Sequence, residues 1–316
     1  MQKLSQFSYI IKQIERIRKF TMRVTIPGFD KIPLYDVGIF FIKGLSKGSL
    51  TVRASSIAFN FFLALFPTLI FFFTLIPYIP IDNFQNELLN LLKDVLPQNA
   101  YISFQTTLED IILEKRGGLL SIGFITAFYF STNGINSLMN AFNATFHSFD
   151  SRKWISQRLI SFFLILIISL LVTIAIVLIV FSQQFFSYLL EQDIIKNDLF
   201  YYIITSGKWI IVVLLFFFVI SFLYYYAPLK KTRWRFFSAG SSLATLMCIV
   251  ISLGFSFYVN NFGQYNKLYG SIGTLIVIML WLYFNSIILL IGFELNASIN
   301  SAHLKKASKI EPSLIN

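Results

Sequence analysis

The chain has 316 residues, 56% hydrophobic and only 13% charged, with a mean hydropathy of +0.70, whereas soluble domains carry roughly a quarter charged residues. Water is therefore excluded as the solvent for most of the chain, and the length leaves no room for a separate soluble catalytic domain beside a membrane domain. The net charge of +11 lies along the edges of the apolar runs, where topology and anionic headgroups account for it, so membrane lipids and not nucleic acid are the expected partners.

Residues 1–50 form a basic N-terminal region. Leu4, Phe7, Ile11, Ile14 and Ile17 recur at three- and four-residue steps, with Lys3, Lys12, Arg16, Arg18, Lys19 and Arg23 mostly elsewhere on the wheel. This pattern predicts an amphipathic helix on the cytoplasmic membrane surface. Pro27-Gly28 and Pro33 break it, and Tyr35 to Leu45 reads as a second interfacial segment, an elbow leading through Gly44, Ser46, Gly48 and Ser49 into the membrane. The first twenty residues are too polar for a signal-peptide core.

Six runs follow, at roughly 54–77, 118–145, 159–182, 201–227, 237–260 and 269–297, each long and apolar enough to cross a bilayer as a helix. They predict an all-α integral membrane protein, a six-transmembrane-helix bundle over residues 51–300, with a tail at 301–316. The first two runs are separated by residues 78–117, where helical bundles use links of about two to eight residues. Asp82 and Gln85 read as a helix start, with Phe84, Leu88, Leu91, Leu92 and Val95 at helical spacing until Pro97, and a second helix is predicted near 100–115. This loop is expected to be helical and external, as a lid, a gate or a partner surface.

Loop charges set the orientation. With both termini cytoplasmic, twenty of the twenty-six Lys and Arg residues fall on the inner side, and the outer side receives nine of the fifteen acids. A positive-inside bias of this size favours that topology.

Polar residues within spans need partners other than lipid. Asn133, Asn136, Asn140 and Asn143 step by three, four and three, which confines them to a wedge of about 80° on a helix turning about 100° per residue. Two readings stand: interhelical hydrogen bonds, or the wall of a hydrated cavity. Arg53, Ser56 and Asn60 share a face of the first span, with Pro67 as a hinge two turns on. In the fifth span Ser238, Ser241, Ser242, Thr245, Ser252 and Ser256 offer a small hydroxyl-rich face suited to close packing. Asn285, Gly292 and Asn296 align in the sixth. Glu294 is the only acid within a predicted span and lies near its cytoplasmic end, at a depth where Arg53 could pair with it. The pair reads either as structural or as a proton- or cation-coupled site. These faces converge on the inner half of the bundle and suggest a cytoplasm-facing polar cavity.

Two histidines, His147 and His303, and one cysteine, Cys248, cannot assemble a zinc site, an intramembrane Ser-His pair or a disulfide. No P-loop occurs, so no cofactor, metal or catalytic residue is expected.

Arg53-Ala54-Ser55-Ser56-Ile57-Ala58-Phe59 through Leu65-Phe66-Pro67, Tyr225-Tyr226-Ala227-Pro228 with the basic residues after it, and Tyr269-Gly270-Ser271 through Leu280-Trp281-Leu282-Tyr283 to Gly292-Phe293-Glu294-Leu295-Asn296-Ala297 together resemble the YihY/BrkB family of bacterial inner-membrane proteins. So does Phe130-Ser131 to Ala141-Phe142-Asn143. The resemblance covers roughly residues 35–300 and implies a six-helix protein of the bacterial inner membrane. The sequence departs from the pattern at Phe293, where a small residue is expected. The family has carried ribonuclease and virulence-factor labels. A metal-dependent nuclease needs clustered His and Asp ligands that this chain lacks. Proposals for the family include cation/proton exchange and movement of lipids or lipid-linked molecules. Transport is the expectation, and an envelope structural or assembly factor is the alternative.

Overall fold

The computed structural model describes residues 15–16, 18–47, 49–78, 85, 89, 113–145, 152–191, 198–229, 236–262 and 271–310. The predicted N-terminal amphipathic helix falls mostly outside these residues. So do most of the external loop, the basic cluster Lys230, Lys231, Arg233 and Arg235, His147 and the last residues of the tail.

Among the described residues, structure is helix and turn without a strand. A short helix, α1 (Leu34–Lys47), precedes α2 (Leu50–Leu75, continued by a 3-10 turn Ile76–Tyr78), α3 (Gly117–Thr145), α4 (Trp154–Glu191), α5 (Asp198–Tyr226), α6 (Ala239–Phe262) and α7 (Ser271–Ile310). The six helices α2 to α7 each contain a segment long and apolar enough to cross a membrane. Many of their large side chains lie exposed, Val52, Leu166, Leu170 and Val177 among them, as lipid-facing residues must. Helix bounds depart from the sequence reading at α4, which runs Trp154–Glu191 where 159–182 was expected, and at α7. α7 continues past 297 to Ile310, because Ile299 and Ala302 are buried on it. α2 runs through Pro67 to Leu75, and the Thr68 hydroxyl bonds the Ala64 carbonyl (2.7 Å) beside the proline.

The chain divides into two compact units, residues 1–57 with 136–316, and residues 58–135. In the second, α2 and α3 meet through glycine. A Cβ on Gly123 would stand 3.3 Å from the Phe71 backbone, and one on Gly134 would stand 3.1 Å from the Phe61 ring. The Phe71 and Phe124 rings lie 5.5 Å apart beside the first contact.

In the first unit, α6 against α7 is the most extensive helix pairing, followed by α1 against α7 and α4 against α5. The α6–α7 crossing depends on two glycines: a Cβ on Gly240 would overlap the Gly292 carbonyl, and a Cβ on Gly292 would stand 2.7 Å from the Ala244 Cβ. Gly240, Ser241, Ala244, Thr245 and Cys248 are buried along this ridge, a small-residue seam that lets backbones approach. Ser242 and Ser256 are exposed, so the ridge is rotated from the all-hydroxyl face expected, toward the glycine and alanine that allow closest approach.

α1 is docked protein and not only an elbow. Phe29, Ile32 and Val37 are buried with Leu295, Ile299 and Ala302 of α7, and Leu34, Phe40 and Phe41 pack around them. Phe29 and Ile32 anchor residues 24–33 in this cluster, while Thr25 to Gly28, Asp30 and Lys31 stay exposed. Gly28 (φ 90°), Asp30 (49°) and Lys31 (59°) adopt left-handed conformations there, which for a non-glycine residue costs about 1–3 kcal/mol and persists where the surroundings fix it.

Candidate functional site

The most buried stretch of α7 is Gly292 to Ile299, and it carries the polar residues Glu294, Asn296 and Ser298. Glu294 is only 6% exposed. Its carboxylate lies directly against α1 at Gly44, where any Cβ would overlap Oε1. The absence of a side chain at Gly44 therefore makes the space that the carboxylate occupies.

Arg53 interacts electrostatically with Glu294. Its Nη1 donates to the Ala141 carbonyl (2.8 Å) and to Thr145 Oγ1 (2.8 Å), tying the start of α2 to the end of α3. Nε and Nη2 are buried without a hydrogen-bond partner among the described residues, and Coulomb attraction to Glu294 offsets part of the cost of burying this charge. Ser56 Oγ pairs with Ser137 Oγ at 3.3 Å.

The asparagine stripe is bonded from helix to helix. Asn136 Oδ1 accepts from Ser161 Oγ (2.7 Å) and Asn140 Oδ1 from Gln157 Nε2 (2.9 Å), both on α4. Asn143 Oδ1 accepts from the Leu229 amide (2.8 Å) just past α5. The same turn is held from the other side by Arg152, whose guanidinium donates to the Ala227 (3.1 Å) and Pro228 (2.7 Å) carbonyls. Its pKa is lowered from the ordinary value by burial, and its position satisfies carbonyls that the end of α5 leaves open. Asn140 is exposed while Leu138, Met139, Ala141 and Phe142 are buried. Asn285 Nδ2 turns back to the Trp281 carbonyl of its own helix (2.9 Å). Asn60, Asn133 and Pro67 belong to the second unit, where Asn60 and Asn133 are half-buried.

Asn296 joins α7 to the start of α6. Its Oδ1 accepts from the Gly240 amide (2.8 Å) and its Nδ2 donates to Ser238 Oγ (2.8 Å). Ser238 Oγ also accepts from the Ser241 amide (3.1 Å), so Ser238 is the N-cap of α6. Next to Asn296 opens a cavity of about 480 Å³, walled by the turn at 28–31, the start of α6, and Asn300 and His303 of α7. Above it Phe293 is fully buried and stacks on Phe142 with ring centroids 4.1 Å apart, and Tyr224 meets both rings edge-on. This block fills the α7 interior where a small residue was expected, and leaves the open volume below Glu294, toward the end of the helix.

Gly44, Gly240, Lys31, Asn300 and His303 were not among the residues that spacing singled out. Gly44 and Gly240 gave no signal, since a close approach depends on which helices meet. The anchored turn gave none either: Phe29 and Ile32 are buried, while Val24 and Ile26, equally apolar in the same stretch, are half-buried and exposed.

Residues 41–313 match the family described as Virulence factor BrkB. The chain is also 33% identical over 248 residues to a protein of Bacillus subtilis (strain 168) named as ribonuclease-like protein YfkH, covering 78% of this chain and 89% of that one. It is 32% identical over 74 residues to a UPF0761 membrane protein of Tolumonas auensis, 23% of this chain and 24% of the relative, and similarly to one of Nitrosospira multiformis, 23% and 17%. No solved structure matches.

Proposed function

Because this chain belongs to the BrkB family, a family of membrane proteins, we propose that it is a transporter of the bacterial inner membrane, with both termini cytoplasmic. It moves ions by cation/proton exchange, or lipid or lipid-linked molecules, through a polar cavity facing the cytoplasm. The observation that carries this reading is the cavity beside Asn296, one to two turns along α7 from Glu294, a carboxylate inside a membrane-crossing helix. Intramembrane carboxylates commonly mark ion and proton routes. The positive-inside distribution of loop charges supports the orientation.

The second reading is an envelope structural or assembly factor. Its support is that Asn136, Asn140, Asn143 and Asn296 all hydrogen-bond neighbouring segments, which is what a polar stripe does when it only holds helices together. The name of the Bacillus relative suggests nucleic-acid hydrolysis for that protein. The predicted spans hold no histidine and one acid, Glu294, which is too few there for a nuclease metal cluster.

Reconstitution decides between transport and scaffold. In proteoliposomes, a pH-gradient cation-exchange assay and a fluorescent-lipid translocation assay are run on the parent protein and on Glu294→Gln. The transport reading expects activity above empty liposomes in one assay and its loss in the variant. Empty-liposome behaviour in both assays, from folded protein, would leave the scaffold reading.

A further inference from the structure

The cavity beside Asn296 has one wall whose polar groups are spent and another whose polar groups are not. On the α6 side, Asn296, Ser238 and the Gly240 and Ser241 amides satisfy one another. On the other side, Lys31, Asn300 and His303 line the same volume without a hydrogen bond or ion pair among the described residues. The Asp30 carboxylate also lines this wall, beside Lys31, and is already engaged by a partner.

Three further features shape the site. Asn300 and His303 are three residues apart on a helix, so they share a face. Lys31 is held opposite them by a turn whose left-handed residues are clamped between the buried Phe29 and Ile32. The capped start of α6 completes the wall with the positive end of its dipole.

We propose that this cavity binds a phosphate-bearing anion, with Lys31 supplying the charge and Asn300 and His303 the hydrogen-bond donors. A lysine ammonium with neutral donors around it suits a tetrahedral oxyanion, which can accept from all three at once. The volume of about 480 Å³ exceeds one phosphate group, so the anion arrives as a phospholipid headgroup or as a soluble phosphate. The inference rests on the proposed function only in taking this cavity as the inner mouth of the pathway, and binding is read without flux so that the two can fail separately.

The test uses the full chain purified in a phosphate-free maltoside detergent. Inorganic phosphate is titrated by calorimetry, and phosphatidylglycerol is added to the micelles and its retention counted by native mass spectrometry. The parent is expected to bind one of these probes saturably, one per chain. Losing the charge and one donor in Lys31→Gln/His303→Ala weakens that binding by about tenfold or more. Lys31→Arg and Lys306→Gln, the latter at an exposed lysine outside the cavity, keep parental affinity, and all four proteins are checked for matching melting temperatures. If the double variant does not fold, His303→Ala alone is expected to weaken binding by about threefold or more.

Saturable binding of phosphate alone assigns a soluble ligand, and binding of phosphatidylglycerol alone assigns a headgroup. Parental affinity in the double variant, equal loss in Lys306→Gln, or no saturable binding of either probe overturns the site. Binding without flux would retain the site and remove the transport reading.

Discussion

At the scale of single residues, the chemistry of the first unit turns on a charge pair and on a missing side chain. Arg53 is half-buried and donates to α3 through one nitrogen, while Glu294 lies 6% exposed against the backbone of α1 at Gly44. Removing one member of such a pair leaves the other charge uncompensated, which costs about 3–5 kcal/mol, whereas replacing both by apolar groups is close to neutral for stability. Arg53→Met or Glu294→Leu alone is thus expected to lower the melting temperature sharply, and the double variant to recover it. If the pair is structural, complementation of a deletion strain returns with stability. If Glu294 couples a proton or cation, the double variant folds and stays inactive. Single variants as stable and active as the parent would remove Glu294 from both accounts.

At the scale of elements, glycine decides which helices meet. Gly292 has no room for a Cβ, with Tyr224 Oη at 2.6 Å and the Ala244 Cβ at 2.7 Å, while a Cβ on Gly254 would meet nothing within 4 Å on the same α6 that carries Gly240. Gly292→Ala is expected to destabilise by about 1–3 kcal/mol through overpacking, and Gly254→Ala to change stability by less than about 1 kcal/mol, measured as melting of the two purified variants. A Gly292→Ala protein as stable as the parent would show that α6 and α7 separate readily. On α3 the exposed Asn140 and the fully buried Leu138 are two residues apart. In a Cys248→Ser background, cysteine at 140 should react with a polar thiol reagent well before cysteine at 138. Equal protection would mean that the face of α3 carrying Asn140 is dry, in favour of the scaffold reading.

At the scale of the whole molecule, six apolar helices and a strong bias of Lys and Arg toward alternate loops yield one topology prediction. A reporter fused after Asn316 should be cytoplasmic and a tag inserted after Asn99 external. Labelling of both from outside intact cells would overturn the orientation and, with it, the assignment of the cavity to the inner face. The number and rough limits of the candidate membrane spans among the described residues were legible in the sequence, because a bilayer span demands length and apolarity that are local properties of the chain. So was the sharing of one face by Asn136, Asn140 and Asn143, because helical periodicity is local too. What those amides bond to was not: Ser161 and Gln157 lie on the next helix, and Leu229 beyond α5, from 17 to 86 residues away in sequence. Nor was the docking of α1 on α7, the carboxylate tucked at Gly44, or the cavity between Lys31 and His303. Each depends on which backbones approach closely, a property of helix pairs that only the packed chain decides.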